Sequence, residues 1–131
     1  MKHSFLFIGD IWTNENADSF STVTAHYIDE ETATLKTKTL DCSDFEKAHT
    51  GDMIEEEWTR VENKFNLKNK IPAITADSAQ NNIKAARQKG IARIPCSPHK
   101  YNTCIGTALD QFEELKDLRN KVAEIVTHVH K

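Results

Sequence analysis

From Phe5 to Trp12 the chain reads FLFIGDIW, an almost unbroken run of apolar strand formers with one carboxylate, Asp10, near its end. Such a run describes a central strand buried on both faces, and a strand of that kind belongs in a sheet layered by helices. Every other element then has to be arranged around it. Polar residues 13–19 follow as a turn. Phe20 to Ile28 next places Val23, Ala25 and Tyr27 at alternate positions, which predicts a second strand. After the turn Asp29-Glu30-Glu31, the positions Ala33, Leu35, Thr37 and Thr39 keep a period of two into Leu40, so strands two and three form a hairpin.

At Thr50 the period changes. Ile54, Trp58, Val61 and Phe65 recur at helical spacing and define one apolar stripe, with Thr50 or Asp52 as the N-cap. Ile71 to Ala76 is a short strand ending at Asp77. Ala79 to Lys89 is a helix closed by Gly90, and Ile91 to Pro95 is a last short strand. Ser97 then caps a further helix with Pro98 at its first position. Tyr101, Ile105, Ala108, Phe112, Leu115, Leu118, Val122 and Ile125 hold helical spacing almost to the terminus. At about 1.5 Å per residue, one continuous helix there would reach roughly 45 Å, more than a small domain spans, so a break near Asp117 is expected. The whole predicts an α/β fold: a mixed five-stranded sheet, antiparallel meander first and parallel strands after, flanked by helices.

The 131 residues suit one domain, 1–131, with no separate second domain. A net charge of −3 gives no global basic field to announce a nucleic-acid partner, so any such reading must rest on local sites. Cys42, Cys96 and Cys104 are too few, and odd in number, for a secreted disulfide scaffold; a reducing intracellular compartment is expected. The N-terminal apolar stretch meets Asp10 too early for a signal peptide, and no run approaches the roughly 20 apolar residues of a membrane span.

Asp10 and Asp77 each end a strand. If those strands are neighbours, their backbones lie about 4.8 Å apart and both carboxylates reach one point, a geometry suited to Mg²⁺ or Mn²⁺. Two such ions stabilise the attacking and leaving oxygens of a phosphodiester displacement. Each residue also has a structural reading. Asp77 or Ser78 caps the next helix, with Gln80 at capping-box spacing, and Asp10 turns to solvent at the sheet edge. Cys96 and His99 have metal-ligand spacing but no second pair, so no structural zinc site is expected. Among Glu55, Glu56 and Glu57 only the last borders the buried stripe, which reads as a solvated charge run. His128 and His130 do not share a helix face. Lys84, Arg87, Lys89 and Arg93 are phosphate contacts or ordinary surface charge.

Taken together, these segments resemble a known family. Asp10-Ile11-Trp12-Thr13, followed by Val23-Thr24-Ala25-His26-Tyr27-Ile28, is similar to the opening of the hAT transposase catalytic core. His49 to Ile54 resembles its entry into the first core helix, Thr75 to Asn82 its Thr-Asp-x-Ala-x-Asn-Met turn, and Cys96-Ser97-Pro98-His99 its Cys-x-x-His motif. Domesticated relatives include zinc finger BED domain-containing proteins. The resemblance implies an RNase H-like fold and metal-dependent DNA cleavage and strand transfer. It makes Asp10 and Asp77 the two catalytic, metal-binding aspartates of a triad completed by a glutamate, and Trp12, Cys96 and His99 residues of the active-site rim and DNA contact. It further implies transposon-end DNA as partner, a homo-oligomer in the parent protein, no membrane association, and a nuclear location. The sequence departs from the pattern in having Asn82 where methionine is usual and Ala76 where threonine is common. The N-terminal BED zinc finger is absent. The family's glutamate lies beyond a helical insertion, and the chain is expected to stop where that insertion begins. Strand transfer by this stretch alone is therefore not expected; the alternative is a catalytically inactive regulatory module that binds DNA or protein.

Overall fold

A computed structural model of the chain describes residues 5–129. The elements are β1 (Leu6–Thr13), β2 (Ser19–Asp29), β3 (Thr34–Asp44), α1 (Gly51–Lys64), β4 (Ala73–Ala76), α2 (Gln80–Lys89), β5 (Ala92–Pro95), α3 (Ser97–Leu109) and α4 (Glu113–Val129). Residues 1–96 and 97–131 form two compact units.

In the first unit the strand order is β3-β2-β1-β4-β5. β1–β2 and β2–β3 pair antiparallel, while β1–β4 and β4–β5 pair parallel. This is the expected mixed five-stranded sheet, and its order and connections are RNase H-like. The crossovers through α1 and α2 run in the same direction across the sheet, so right-handedness puts both helices on one face. They touch there: Lys84 Nζ and Gln88 Nε2 both donate to the carboxylate of Asp52, at 2.7 and 2.6 Å.

The core lies between that face and the helices. Phe7, Val23, Ile54, Trp58, Val61 and Ile74 are buried, with Ala85 and Ala86 admitting α2 closely. Gly9 is required by close approach, because a Cβ there would stand 2.9 Å from Trp58 Nε1 and 3.2 Å from Ile74 Cδ1. Alternation along β1 sends Phe7 and Gly9 to the helices and Leu6, Ile8, Asp10 and Trp12 to the opposite face. β1 is central, but it is not buried on both sides along its length: Asp10, Trp12 and Thr13 are exposed.

Two sequence expectations are corrected on α1. Phe65 does not extend the buried stripe. The helix stops at Lys64, Phe65 is 40% exposed at the C-cap, and Asn66 turns the chain at φ 52°, so that Leu67 and Ile71 fill the core instead. Glu57 is not solvated either. It is buried, and Arg60 one turn on donates to both its oxygens, at 2.9 and 2.6 Å. Arg60 also bonds Asp41 on β3, which receives Lys64 Nζ at 2.6 Å and the Ser43 hydroxyl at 2.8 Å.

Burial pushes the Asp41 carboxyl up, but the hydrogen bonds from Lys64, Ser43 and Arg60 outweigh it and hold the group at about 2, below the ordinary 3.8. A carboxyl depressed on folding contributes stability that is fully present above its unfolded value and lost as pH falls through the folded one. The difference is worth about 2 kcal/mol, less whatever salt screens from the half-exposed cations. Urea titrations at pH 6 and near pH 2 should show wild type losing about that much more than Asp41→Asn; equal losses would remove Asp41 from acid sensitivity.

In the second unit, the break between the two helices falls at residues 110–112 and not near Asp117. Gln111 N and Phe112 N bond back only three residues, to Ala108 O and Leu109 O, which tightens and ends α3. Arg119 on α4 reaches across the break to Asp110 Oδ1 at 2.6 Å. Asp117 sits inside α4 with no helix breaker beside it.

Candidate functional site

The β1–β4 register pairs Leu6 with Ala73, Phe7 with Ile74 and Ile8 with Thr75. Continued by two residues, it brings position 77 level with Asp10. Ile74 and Ala76 are buried toward the helices, so Ala73 and Thr75 alternate to the other face, the one Asp10 also occupies, while Asp77 follows the strand and turns its carboxylate to the start of α2. The β4–β5 register, Ala76 with Pro95, continues in the same way to set Cys96 level with Asp77. By that continuation Asp10 within β1, and Asp77 and Cys96 just past β4 and β5, fall level across three adjacent parallel strands.

Asp10 is exposed, lies across from Thr22 of β2, and has no hydrogen-bond or ion-pair partner among the described residues. Two residues on, Trp12 is 42% exposed and stacks on Phe20 with ring centroids 5.7 Å apart. Asp77 is half-buried and held more firmly. Its Oδ1 accepts from Ala79 N at 2.9 Å and from Asn82 Nδ2 at 2.6 Å, while Oδ2 has no partner among the described residues. The capping reading is therefore revised: Ala79 is the N-cap of α2, without a side-chain bond, and Asp77 makes a tight side-chain turn before it.

The backbone under Asp77 is clamped as well. Arg93 Nη1 donates to Asp77 O at 3.0 Å and to Ala76 O at 3.3 Å, and Cys96 N donates to Ala76 O at 3.0 Å. Cys96 closes the first unit. His99 stands exposed in the first turn of α3, in the second unit, where its carbonyl accepts from the Thr103 hydroxyl. Among the described residues, no three His, Cys, Asp or Glu side chains converge as a metal cage. Two carboxylates with free oxygens are still an apt donor set for a hard cation that keeps most of its water.

The other candidates fall to structural duties. Lys84 makes an exposed pair with Asp52 and one Arg93 nitrogen holds the backbone beneath Asp77, while Lys89 is enclosed against Glu62 and so is not a free phosphate contact. His128 is exposed on α4, and His130 lies outside the described residues. Sequence reading missed Asn82 as a positioning residue. The signal was its place five residues after Asp77, in the first turn of the helix that Asp77 introduces.

The family model of the ZBED1 RNase-like domain matches residues 8–90. The chain belongs to that family. The match covers more than half of the sequence and includes Asp10, Trp12, Asp77 and Asn82, while Cys96 and His99 fall beyond it. Membership agrees with the RNase H-like sheet and with a transposase-derived domain. A search of curated proteins returned no match.

Proposed function

We propose that Asp10 and Asp77 are the paired metal ligands of a hAT-type, DNA-cutting and DNA-joining centre that needs a third acidic side chain to act. What supports the reading is two carboxylates brought level when the β1–β4 register is continued by two residues, one with no partner and the other with one oxygen free among the described residues. Bound there, Mg²⁺ or Mn²⁺ supplies electrostatic stabilisation of the attacking and leaving oxygens in an in-line phosphodiester displacement. The chain's own part is to position. Asn82 and the Ala79 amide fix one oxygen of Asp77 and leave the other for the ion, and Arg93 fixes the strand end beneath it. Trp12, stacked on Phe20 two residues from Asp10, offers an aromatic surface for a base next to the scissile phosphate. Transposon-end DNA as substrate and the nucleus as site of action follow from the family likeness. Cys96 and His99 belong to the rim on the same basis.

A second reading, a binding module without chemistry, draws on the absence of a third converging acid among the described residues. On the first reading Asp10 and Asp77 bind the ion without cutting; the second requires no ion.

Paramagnetic broadening by millimolar Mn²⁺ tests the site directly. Amide signals around Asp10 and Asp77 should broaden first, and the melting temperature should rise. Asp10→Asn should abolish the broadening while leaving the metal-free melting temperature unchanged or higher, because a carboxylate awaiting an ion does not hold the fold together. Asn82→Ala should weaken Mn²⁺ about tenfold, the usual cost of losing a group that orients a ligand. Uniform broadening, or none, ends the metal reading; a clear loss of metal-free melting temperature in Asp10→Asn makes the residue structural.

A further inference from the structure

Strand β3 is an outer strand of the sheet, paired with β2 alone among the described strands, and residues 34–39 of it are exposed throughout. Apart from the ladder with β2, these residues have no backbone hydrogen-bond partner among the described residues. Such an edge is a template for a further strand.

The register puts Lys38 across from Ala25 and Lys36 across from Tyr27, on the face of β2 whose residues are buried toward the helices. The ladder shifts between Val23 and Thr24, and the extra residue of that bulge is Leu40, so Lys36, Lys38 and Leu40 share one face. Beyond the end of α1 this face opens into an apolar groove of about 400 Å³, where Tyr27, Leu40, Phe65 and Leu67 line the walls and Lys38 stands beside them. Phe65 is 40% exposed there, because the turn at Asn66 takes the chain off the helix before the ring is covered. We infer that residues 34–40 receive an extended acidic segment of a partner protein as an antiparallel added strand, its large apolar side chain in the groove and its carboxylates on Lys36 and Lys38.

Charge selects this occupant. Neither Lys36 nor Lys38 bonds a described residue, whereas the neighbouring Lys64 is committed to Asp41 at 2.6 Å. Alternate residues of a strand lie about 6.8 Å apart, so two carboxylates at alternate positions of an added strand meet both ammonium groups at once. Two β3 edges paired antiparallel about Thr37 would set lysine against lysine, which makes a second copy a poor occupant. A nucleic acid would meet the lysines and the rings but leave the backbone donors and acceptors of the edge unmatched. The acidic turn Asp29-Glu30-Glu31 lies just beyond Thr34 and disfavours a third carboxylate there. Antiparallel addition therefore orders the partner as a large apolar residue, then acids two and four positions on, then an apolar residue across from the exposed Leu35.

The probe is the blocked octapeptide Thr-Phe-Thr-Glu-Thr-Glu-Val-Thr, added without metal to the whole chain labelled with nitrogen-15. Amide signals of residues 34–40, Tyr27 and Phe65 should shift first and saturate with a dissociation constant of about 10–100 μM. Methylating one alternate set of the peptide's backbone nitrogens should abolish binding and methylating the other set should spare it, the signature of strand addition. Lys36→Glu with Lys38→Glu should weaken binding about tenfold or more, and a peptide with lysines for its two glutamates should bind that variant in preference to wild type. Phe65→Ser should weaken binding about tenfold and, because the ring is exposed at a helix end, leave the far-ultraviolet spectrum unchanged. No shift at about 1 mM peptide, or binding indifferent to the lysine pair, overturns the proposal. An eight-residue oligothymidylate that moves the same amides at lower concentration than the peptide also overturns it and gives the surface to single-stranded nucleic acid. Because the titration is run without Mn²⁺, its failure leaves the paired-aspartate reading where it stood.

Discussion

Trp58→Ala is expected to cost about 3–5 kcal/mol of folding stability, read as a drop in the urea midpoint followed by far-ultraviolet circular dichroism. The indole is 1% exposed at the centre of the stripe that α1 presents to the sheet. It lies over Gly9 so closely that β1 has no room for a side chain beneath it, and Ile74 of β4 closes the same contact from the neighbouring strand. Truncation therefore opens a void under two strands and a helix at once, where a close-packed interior collapses only in part. Gly9→Ala approaches the same contact from the other side and should cost about 1–3 kcal/mol by forcing the indole to retreat. Combining Gly9→Ala with Trp58→Phe should cost less than the two separate losses summed, because the smaller ring vacates the space the methyl takes. A loss under about 1 kcal/mol for Trp58→Ala would mean the indole is not the anchor of the helix layer.

Why the five strands were legible and parts of the helices were not comes down to what each signal measures. Period-two alternation in β2 and the apolar run of β1 record burial against one large surface, whereas the same period in β3 marks a strand whose first half, residues 34–39, is exposed on both faces. The helical stripe on α1 records the same thing through Ile54, Trp58 and Val61, but its end depends on local backbone choices. At Asn66 a positive φ diverts the chain, so Phe65 continues the period in sequence and leaves it in space. Glu57 shows the converse. Its charge suggested solvent, yet Arg60, itself anchored to the Asp41 carboxylate of β3, donates to both its oxygens and seats it in the interior. Such compensation is long-range and has no spacing rule.

The site was legible only as far as strand ends go. Asp77 stands out because it follows the short apolar strand β4 and Asp10 because it interrupts the apolar run of β1, which continues to Thr13; the β1–β4 register, continued by two residues, brings the two level. What orients Asp77 was not visible, since Asn82 bonds it through a turn whose shape the sequence does not state, and the capping motif at the same place suggested a different role. The basic residues misled for a related reason. Positive charge near a presumed phosphate site looks like recognition until its partners are known, and Lys89 is enclosed with Glu62 while Lys84 pairs with Asp52 at the surface.

Lys89 gives the sharpest consequence of that reassignment. Its ammonium is almost enclosed between α1 and α2, where it bonds the carboxylate of Glu62 and donates to the Thr59 hydroxyl at 2.7 Å. Glu62 is itself buried, and its other oxygen receives only the Asn69 amide at 3.3 Å. Lys89→Met keeps the stem's bulk and removes the one cation that, among the described residues, compensates the carboxylate. The expected cost is about 3–5 kcal/mol, because an unpaired charge is left in the interior. Lys89→Met with Glu62→Gln removes both charges and keeps the amide contact, so most of that loss should return. This pair of measurements separates a folding role from a phosphate-binding one: a surface lysine that only met DNA would lose binding on substitution and leave the urea midpoint where it was. If Lys89→Met unfolds no more easily than wild type, the helix layer is not held by this ion pair, and Lys89 returns to the candidates for contact with DNA.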